Sequence, residues 1–276
     1  MKWRLFLISI LLFVLTDLTA QTFELAWETD AVLKIPESVF FDEIRNQIYV
    51  SNVNGKPTVK DNNGFISILN TDGSIKKLKW ITGMHAPKGM ALNDSLLYVT
   101  DIDRFHVINV NTSKIIKTIN VEGAGFLNDI ALNPNGDIYI SDMAKNYLLR
   151  FDGVKVEIWL TGGDELVSPN GLAFFKQSLY VGTENSILKV DPNDKNIKVH
   201  ITETGPVDGL IPLGGNKFVI SDWSGRILIA GFETKVVLQN TADQNIQAAD
   251  LGYIPKEKLI LIPTFFNNKV VARRLP

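Results

Sequence analysis

The stretch Leu127-Asn128-Asp129-Ile130-Ala131-Leu132-Asn133-Pro134-Asn135-Gly136-Asp137-Ile138-Tyr139-Ile140-Ser141-Asp142 decides the fold. Two short β-branched runs flank Asn133-Pro134-Asn135-Gly136, a sequence built for a tight turn. Further on, Tyr147–Phe151 and Lys155–Trp159 are again strand-like, with Asp152-Gly153 as the hairpin between them. Four consecutive antiparallel strands in this arrangement make one blade of a propeller.

The second run recurs throughout the chain. Gln47–Ser51, Leu96–Asp101, Ile138–Asp142, Leu179–Gly182, Lys217–Asp222 and Lys258–Pro263 are six versions of it. Ahead of each stands a related segment: Pro36-Glu37-Ser38, Pro87-Lys88-Gly89, Leu127-Asn128-Asp129, Pro169-Asn170-Gly171, Val207-Asp208-Gly209 and Ala248-Ala249-Asp250. Aligned on the second residue of each, the intervals are 51, 40, 42, 38 and 41. The pattern predicts an all-β, six-bladed β-propeller of four-stranded antiparallel blades. Six units of about 42 residues fill residues 21–276, leaving no room for a second domain. No stretch after residue 20 sustains a capped helical period. Blade six lacks an outer strand after Lys269–Leu275, whereas Phe23–Trp27 is left over at the other end. The N-terminal strand is expected to complete that blade and close the ring, covering edges that invite aggregation.

Residues 1–20 read as a signal peptide. Lys2 and Arg4 precede the apolar run Leu5–Leu15, and Leu18-Thr19-Ala20 supplies small residues at a cleavage point. That run is too short to span a bilayer, for which about 20 apolar residues are needed. The mature chain is therefore expected to be exported, periplasmic or extracellular, and free of the membrane after cleavage. Lys+Arg 28 against Asp+Glu 30 gives net charge −2, which argues against a nucleic-acid partner. The absence of Cys rules out disulfides, Cys-ligated metals and thiol nucleophiles.

At the inner-strand segments the chain resembles the SMP-30/gluconolactonase/LRE-like group of six-bladed propellers. The resemblance rests on Glu37, Asn128-Asp129, Asn170-Gly171 and Asp208-Gly209, which stand in the family's order and at blade spacing. It implies that Glu37, Asn128, Asn170 and Asp208 ring the central tunnel and hold a divalent metal, expected to be calcium. Two carboxylates and two amide oxygens form a hard donor set, which suits calcium or magnesium and poorly suits thiophilic metals. Without a cation, Glu37 and Asp208 would face each other and raise one another's proton affinity. The bland reading of Asn170 and Asp208, as turn residues before a strand, stays open. Lys88 and Ala249 occupy the matching positions of blades two and six and are not expected to ligate. Asp250 is a candidate supporting acid one place further on.

The resemblance further implies hydrolysis of a lactone or related ester, a small-molecule substrate, with Asp208 as catalytic general base and Asn128 contacting substrate. The family's sugar-lactone enzymes carry an Arg two residues before the Asn that matches Asn128. Here that residue is Phe126, which shifts the expected substrate toward a more apolar ester or lactone. Loops after the second strands should share the same mouth, bringing Asn52, Asp101, Asp142, Glu184, Asp222 and Trp223, with Phe265 and Phe266. Of these, Asp142 and Trp223 join Phe126 and Asn128 as candidate substrate contacts. The recurrent Asp101, Asp142 and Asp222 also fit strand-end caps. His85 precedes an inner strand and is the one His placed to assist a substrate. Asn52–Gly64 is the longest loop, a lid or a surface insertion. No G-x-S-x-G elbow or dinucleotide fingerprint is present. Two functions stay open: a divalent-metal-dependent hydrolase, and a non-catalytic propeller binding a small ligand or a protein partner, itself unknown, at the tunnel mouth.

Overall fold

The computed structural model describes residues 22–276; the candidate signal segment lies outside the described residues. The chain forms six four-stranded antiparallel sheets in a ring, a β-propeller. Blade one contains β2 (Pro36–Asp42), β3 (Gln47–Asn52), β4 (Gly64–Leu69) and β5 (Ile75–Met84). Blade two is β6 (Pro87–Asn93), β7 (Leu96–Asp101), β8 (Arg104–Asn109) and β9 (Lys114–Asn120). Blade three is β10 (Leu127–Leu132), β11 (Ile138–Asp142), β12 (Tyr147–Phe151) and β13 (Val156–Thr161). Blade four is β14 (Leu172–Phe175), β15 (Ser178–Gly182), β16 (Ser186–Val190) and β17 (Ile197–Thr202). Blade five is β18 (Leu210–Gly214), β19 (Lys217–Asp222), β20 (Arg226–Ala230) and β21 (Lys235–Asn240). Blade six is β22 (Gly252–Ile254), β23 (Leu259–Pro263), β24 (Val270–Arg274) and, outermost, β1 (Glu24–Glu28). Among the described residues the helical content is three short 3₁₀ turns.

The leftover N-terminal strand closes the ring as expected. It runs antiparallel to β24, with Glu24 opposite Arg274 and Glu28 opposite Val271. Lys269 Nζ reaches Glu28 Oε1 at 2.7 Å across the seam. The first and last strands share one sheet, so neither end of the chain leaves an unpaired inner edge.

Blades stack face against face, so their middle strands are apolar on both sides. Every residue of β3 and β4 is buried, whereas the outer β9 is largely exposed. Tyr49 stacks on Trp80 at 5.1 Å within the cluster that joins blade one to Met90, Leu97 and Val99 of blade two. The seam between blades six and one is filled in the same manner by Val39, Ile48, Val50, Leu259, Leu261 and Val270.

Near the axis the inner strands approach so closely that some positions admit no side chain. A Cβ on Gly209 would overlap the backbone nitrogen and side chain of Leu251 in the next blade. Gly209→Ala is therefore expected to cost about 2 kcal/mol, a fall in melting temperature of about 4–8 °C by calorimetry. An unchanged melting temperature would show that the two blades have room to part.

Candidate functional site

In three blades the start of the inner strand is where the sheet departs from regular pairing. In blade one the register shifts between Pro36 and Val39, in blade two between Pro87 and Met90, and in blade three between Leu127 and Ile130. Each bulge contains two residues: Glu37-Ser38, Lys88-Gly89 and Asn128-Asp129. A bulge breaks the alternation of side chains and re-aims them, which is how inner strands buried on both faces can point polar groups along the axis. In blades four and five, Asn170 and Asp208 occupy the equivalent place just before β14 and β18. The N–H of Asn170 donates to Gly182 O, and that of Asp208 to Ser221 O.

Serines on the second strands hold these segments. Ser51 Oγ accepts the Ser38 N–H at 2.9 Å, Ser141 Oγ that of Asp129 at 2.9 Å, and Ser221 Oγ that of Gly209 at 2.7 Å. The strand-end acids perform a related task. Asp101 accepts the N–H groups of His85 and Ala86 at 2.9 and 2.7 Å, and Asp142 those of Gly125 and Phe126 at 2.7 and 3.0 Å. Burial alone would raise the Asp101 carboxyl, but His106 and these two N–H groups hold it well below the usual range.

Glu37, Lys88, Asn128, Asn170 and Asp208 all line one cavity of about 460 Å³ at the tunnel mouth. Its other walls are Pro57, Phe126, Met143, Pro206, Val207, Trp223, Phe265 and Phe266. The four residues expected to hold a metal are thus brought together from four blades. Asn170 Nδ2 donates to Asp208 Oδ1 at 3.1 Å. Glu37 Oε2 and Asn170 Oδ1 are buried and without a hydrogen-bond partner. Such groups are costly unless something satisfies them. Among the described residues no three acidic or histidine side chains group as a metal cluster, since this set is two acids and two amides.

Deeper along the axis, Asp129 and Asp250 line a second cavity of about 400 Å³. Both are committed to the fold. Asp129 accepts the N–H groups of Ile130 and Leu172, and Asp250 accepts the Ser38 hydroxyl at 2.5 Å. Burial followed by the charge of Asp250 pushes Asp208 up to about 8, against the Asn170 hydrogen bond. Asp250 is pushed up to about 7 by burial, against the Ser38 bond. Glu37 is raised by burial and then by Asp208, with Lys88 opposing; Asp129 is raised by burial and then by Asp250. Four acids thus crowd the axis with one lysine.

Of the candidate substrate contacts, Phe126, Asn128 and Trp223 line the mouth cavity, whereas His85 and Asp142 do not. Asp142 is fully buried and its oxygens are taken by main-chain N–H groups; in holding Gly125 and Phe126 it positions the segment that leads to Asn128. His85 Nδ1 accepts the Asn62 N–H at 3.2 Å, tying the long loop to blade two instead of facing the tunnel. That loop contributes Pro57 to the cavity wall.

Lys88 stands at the axial position of blade two that the repeat alignment gave it, but its burial and its partners were not legible in the sequence. It is 1% exposed, and its Nζ donates to Ala86 O at 2.9 Å and Pro57 O at 3.3 Å while lying 4.4 Å from the Phe126 ring centre. Burial lowers its pKa to about 8, with Glu37 and then Asp101 opposing. Its alignment with Glu37, Asn128, Asn170 and Asp208 placed it on the same cavity, which the second position of five of the six inner segments lines.

Trp223, Phe265 and Phe266 form an edge-to-face cluster at the rim, with centroids 4.9 to 6.0 Å apart. Trp223 and Phe266 are 43% and 56% exposed. Exposed rings packed on one another beside a cavity make an apolar wall ready for a ligand.

No protein-family model and no curated protein matches the chain. Solved structures do match in fold. A gluconolactonase from Xanthomonas campestris aligns with TM-score 0.67 at 15% identity, over 88% of this chain and 87% of its own. A streptogramin B lyase aligns with TM-score 0.65 at 12% identity, over 88% and 94%. Virginiamycin B lyase from Staphylococcus aureus, as a catalytically inactive His-to-Ala variant with quinupristin, aligns with TM-score 0.59 at 13% identity, over 87% and 95%. The propeller fold read from the inner-strand repeats is thus one that this chain shares with a gluconolactonase and with streptogramin B lyases.

Proposed function

We propose that the chain is an exported, divalent-metal-dependent hydrolase of a lactone or related ester. The convergence of Glu37, Asn128, Asn170 and Asp208 on one mouth cavity carries the reading. The buried, unpartnered Glu37 Oε2 and Asn170 Oδ1 are hard oxygen acceptors, as calcium or magnesium requires. The donor set fits such an ion, and the ion would relieve the repulsion between Glu37 and Asp208. When bound, it would polarise a carbonyl oxygen as a Lewis acid.

The chain's own residues supply the rest. Asp208 accepts a proton from the attacking water and returns it to the leaving oxygen. Asn170 orients Asp208 by donating to its Oδ1 at 3.1 Å. Asn128, on the same wall system, contacts the substrate. Phe126, Met143, Val207 and the rim rings exclude water and receive an apolar substituent. Fold likeness to a gluconolactonase supports hydrolysis by analogy alone. The lyase analogy is weaker: virginiamycin B lyase is inactivated by loss of a histidine, and none of His85, His106 and His200 lines this cavity. The apolar mouth favours a second reading, a propeller that binds without catalysis.

A panel of aliphatic lactones, sugar lactones and aryl esters tests the proposal. Turnover is expected with millimolar calcium, to be lost in EDTA and restored by calcium, with apolar substrates preferred over sugar lactones. No turnover of any compound with calcium, magnesium or manganese would leave the binding reading in its place.

A further inference from the structure

We propose that Lys88 is a catalytic residue of this site, its ammonium donating a hydrogen bond to the substrate carbonyl oxygen as negative charge builds there. The proposal rests on the hydrolase reading above and adds a donor on the wall opposite the base. Lys88 belongs to blade two and Asp208 to blade five, three blades apart in a ring of six, so the two face each other across the axis. Both line the same cavity. A carbonyl group bound between them has the base on one side and a cation on the other.

The contacts of Lys88 argue for this use. An ammonium carries three donors. Two go to the carbonyl oxygens of Ala86 and Pro57, and Lys88 forms no ion pair among the described residues. Glu37, though close enough to be felt, lies outside ion-pair contact. The face of Phe126 supports the charge. A cation buried with its hydrogen bonds on neutral carbonyls and no ion pair is expensive for a fold that only needs the volume filled. Methionine would fill it. The arrangement instead keeps a positive donor fixed and buried beside the place where charge develops, the condition under which such donors accelerate acyl transfer most.

In the step, a water oxygen bonds to the carbonyl carbon, Asp208 takes the water proton, and the carbonyl π pair moves onto the oxygen that Lys88 contacts. Collapse breaks the bond to the ring oxygen, which leaves with the proton held on Asp208. The product is a hydroxy acid that releases its carboxyl proton to solvent, leaving a carboxylate beside Lys88, so the same residue should strengthen product binding.

The test compares wild type and Lys88→Met with γ-decalactone and phenyl acetate in calcium. The expected result is a fall in kcat of about 10²–10³-fold with little change in KM, and a melting temperature no lower than wild type. The chain has no Cys, so Lys88→Cys introduces its sole thiol. Alkylation with 2-bromoethylamine rebuilds a primary ammonium there and should restore at least a tenth of the lost activity, whereas iodoacetamide should not. A kcat within threefold of wild type in Lys88→Met, or no recovery on aminoethylation, overturns the proposal while leaving the hydrolase reading in place. Should wild type turn over nothing, the hydrolase reading falls, and binding of 4-hydroxydecanoate by calorimetry decides Lys88 separately. A loss of at least tenfold in affinity in Lys88→Met supports an oxygen-anion donor; equal or absent binding overturns it.

Discussion

Asp208→Asn is expected to lower kcat by about 10³-fold or more while the propeller stays folded. The amide keeps the shape of the carboxylate, and a contact with Asn170 can be retained. It cannot take a proton from water, and it removes one of the two charges available to a divalent cation. Calcium affinity should fall at least tenfold in the same variant, read by calorimetry. Stability in EDTA should hold or rise, because Asp208 is a buried acid crowded by Asp250 and its loss relieves that repulsion. Asp250→Asn is the matched control. Its carboxylate already accepts the Ser38 hydroxyl and lines the deeper cavity, so its effect on kcat should stay below tenfold. If Asp208→Asn keeps more than a tenth of the wild-type turnover, the base lies elsewhere.

The second large effect is a stability profile that calcium should reshape. Asp208 is pushed up to about 8 and Asp250 to about 7, from ordinary values near 4, and Glu37 and Asp129 are raised as well. A raised acid means that the folded state binds protons more tightly than the unfolded state. The stability it brings is complete below the unfolded value and is lost as pH rises through the folded one. In EDTA the melting temperature should therefore decline from pH 5 to pH 8, by about 4–8 °C for a change of about 2 kcal/mol. The scan stops at pH 8 because Lys88, lowered to about 8, works with the opposite sign above it. A bound cation prefers the ionised acids, so calcium should raise the melting temperature more at pH 8 than at pH 5 and flatten the slope. A flat profile in EDTA, or an equal calcium gain at both ends, would mean that the axial acids do not govern stability.

Much of this site was legible along the chain. Glu37, Asn128, Asn170 and Asp208 recur at blade intervals, and a ring repeats its geometry with its sequence, so their arrival at one cavity followed from spacing. Phe23–Trp27 was legible as a closing strand because one blade was a strand short. Asp101, Asp142 and Asp222 were harder. A carboxylate at a strand end reads the same whether it faces a ligand or accepts a backbone N–H; in Asp101 and Asp142 the N–H groups of residues 85–86 and 125–126 claimed it. His85 was drawn aside by a loop whose course no repeat specifies.

Local pairing and periodicity depend on neighbours a few residues away, so the number of blades, their strands and the order of polar residues around the axis are written in the chain itself. Burial, charge coupling and partnership depend on groups many residues apart. Only the closed ring could place the Lys88 ammonium on the Pro57 carbonyl opposite Asp208, leave Glu37 Oε2 without a partner, and commit Asp250 to Ser38. The physical reason is that a side chain's desolvation and its partners are set by whichever strands meet it across the axis, and those are fixed when the first strand pairs with the last.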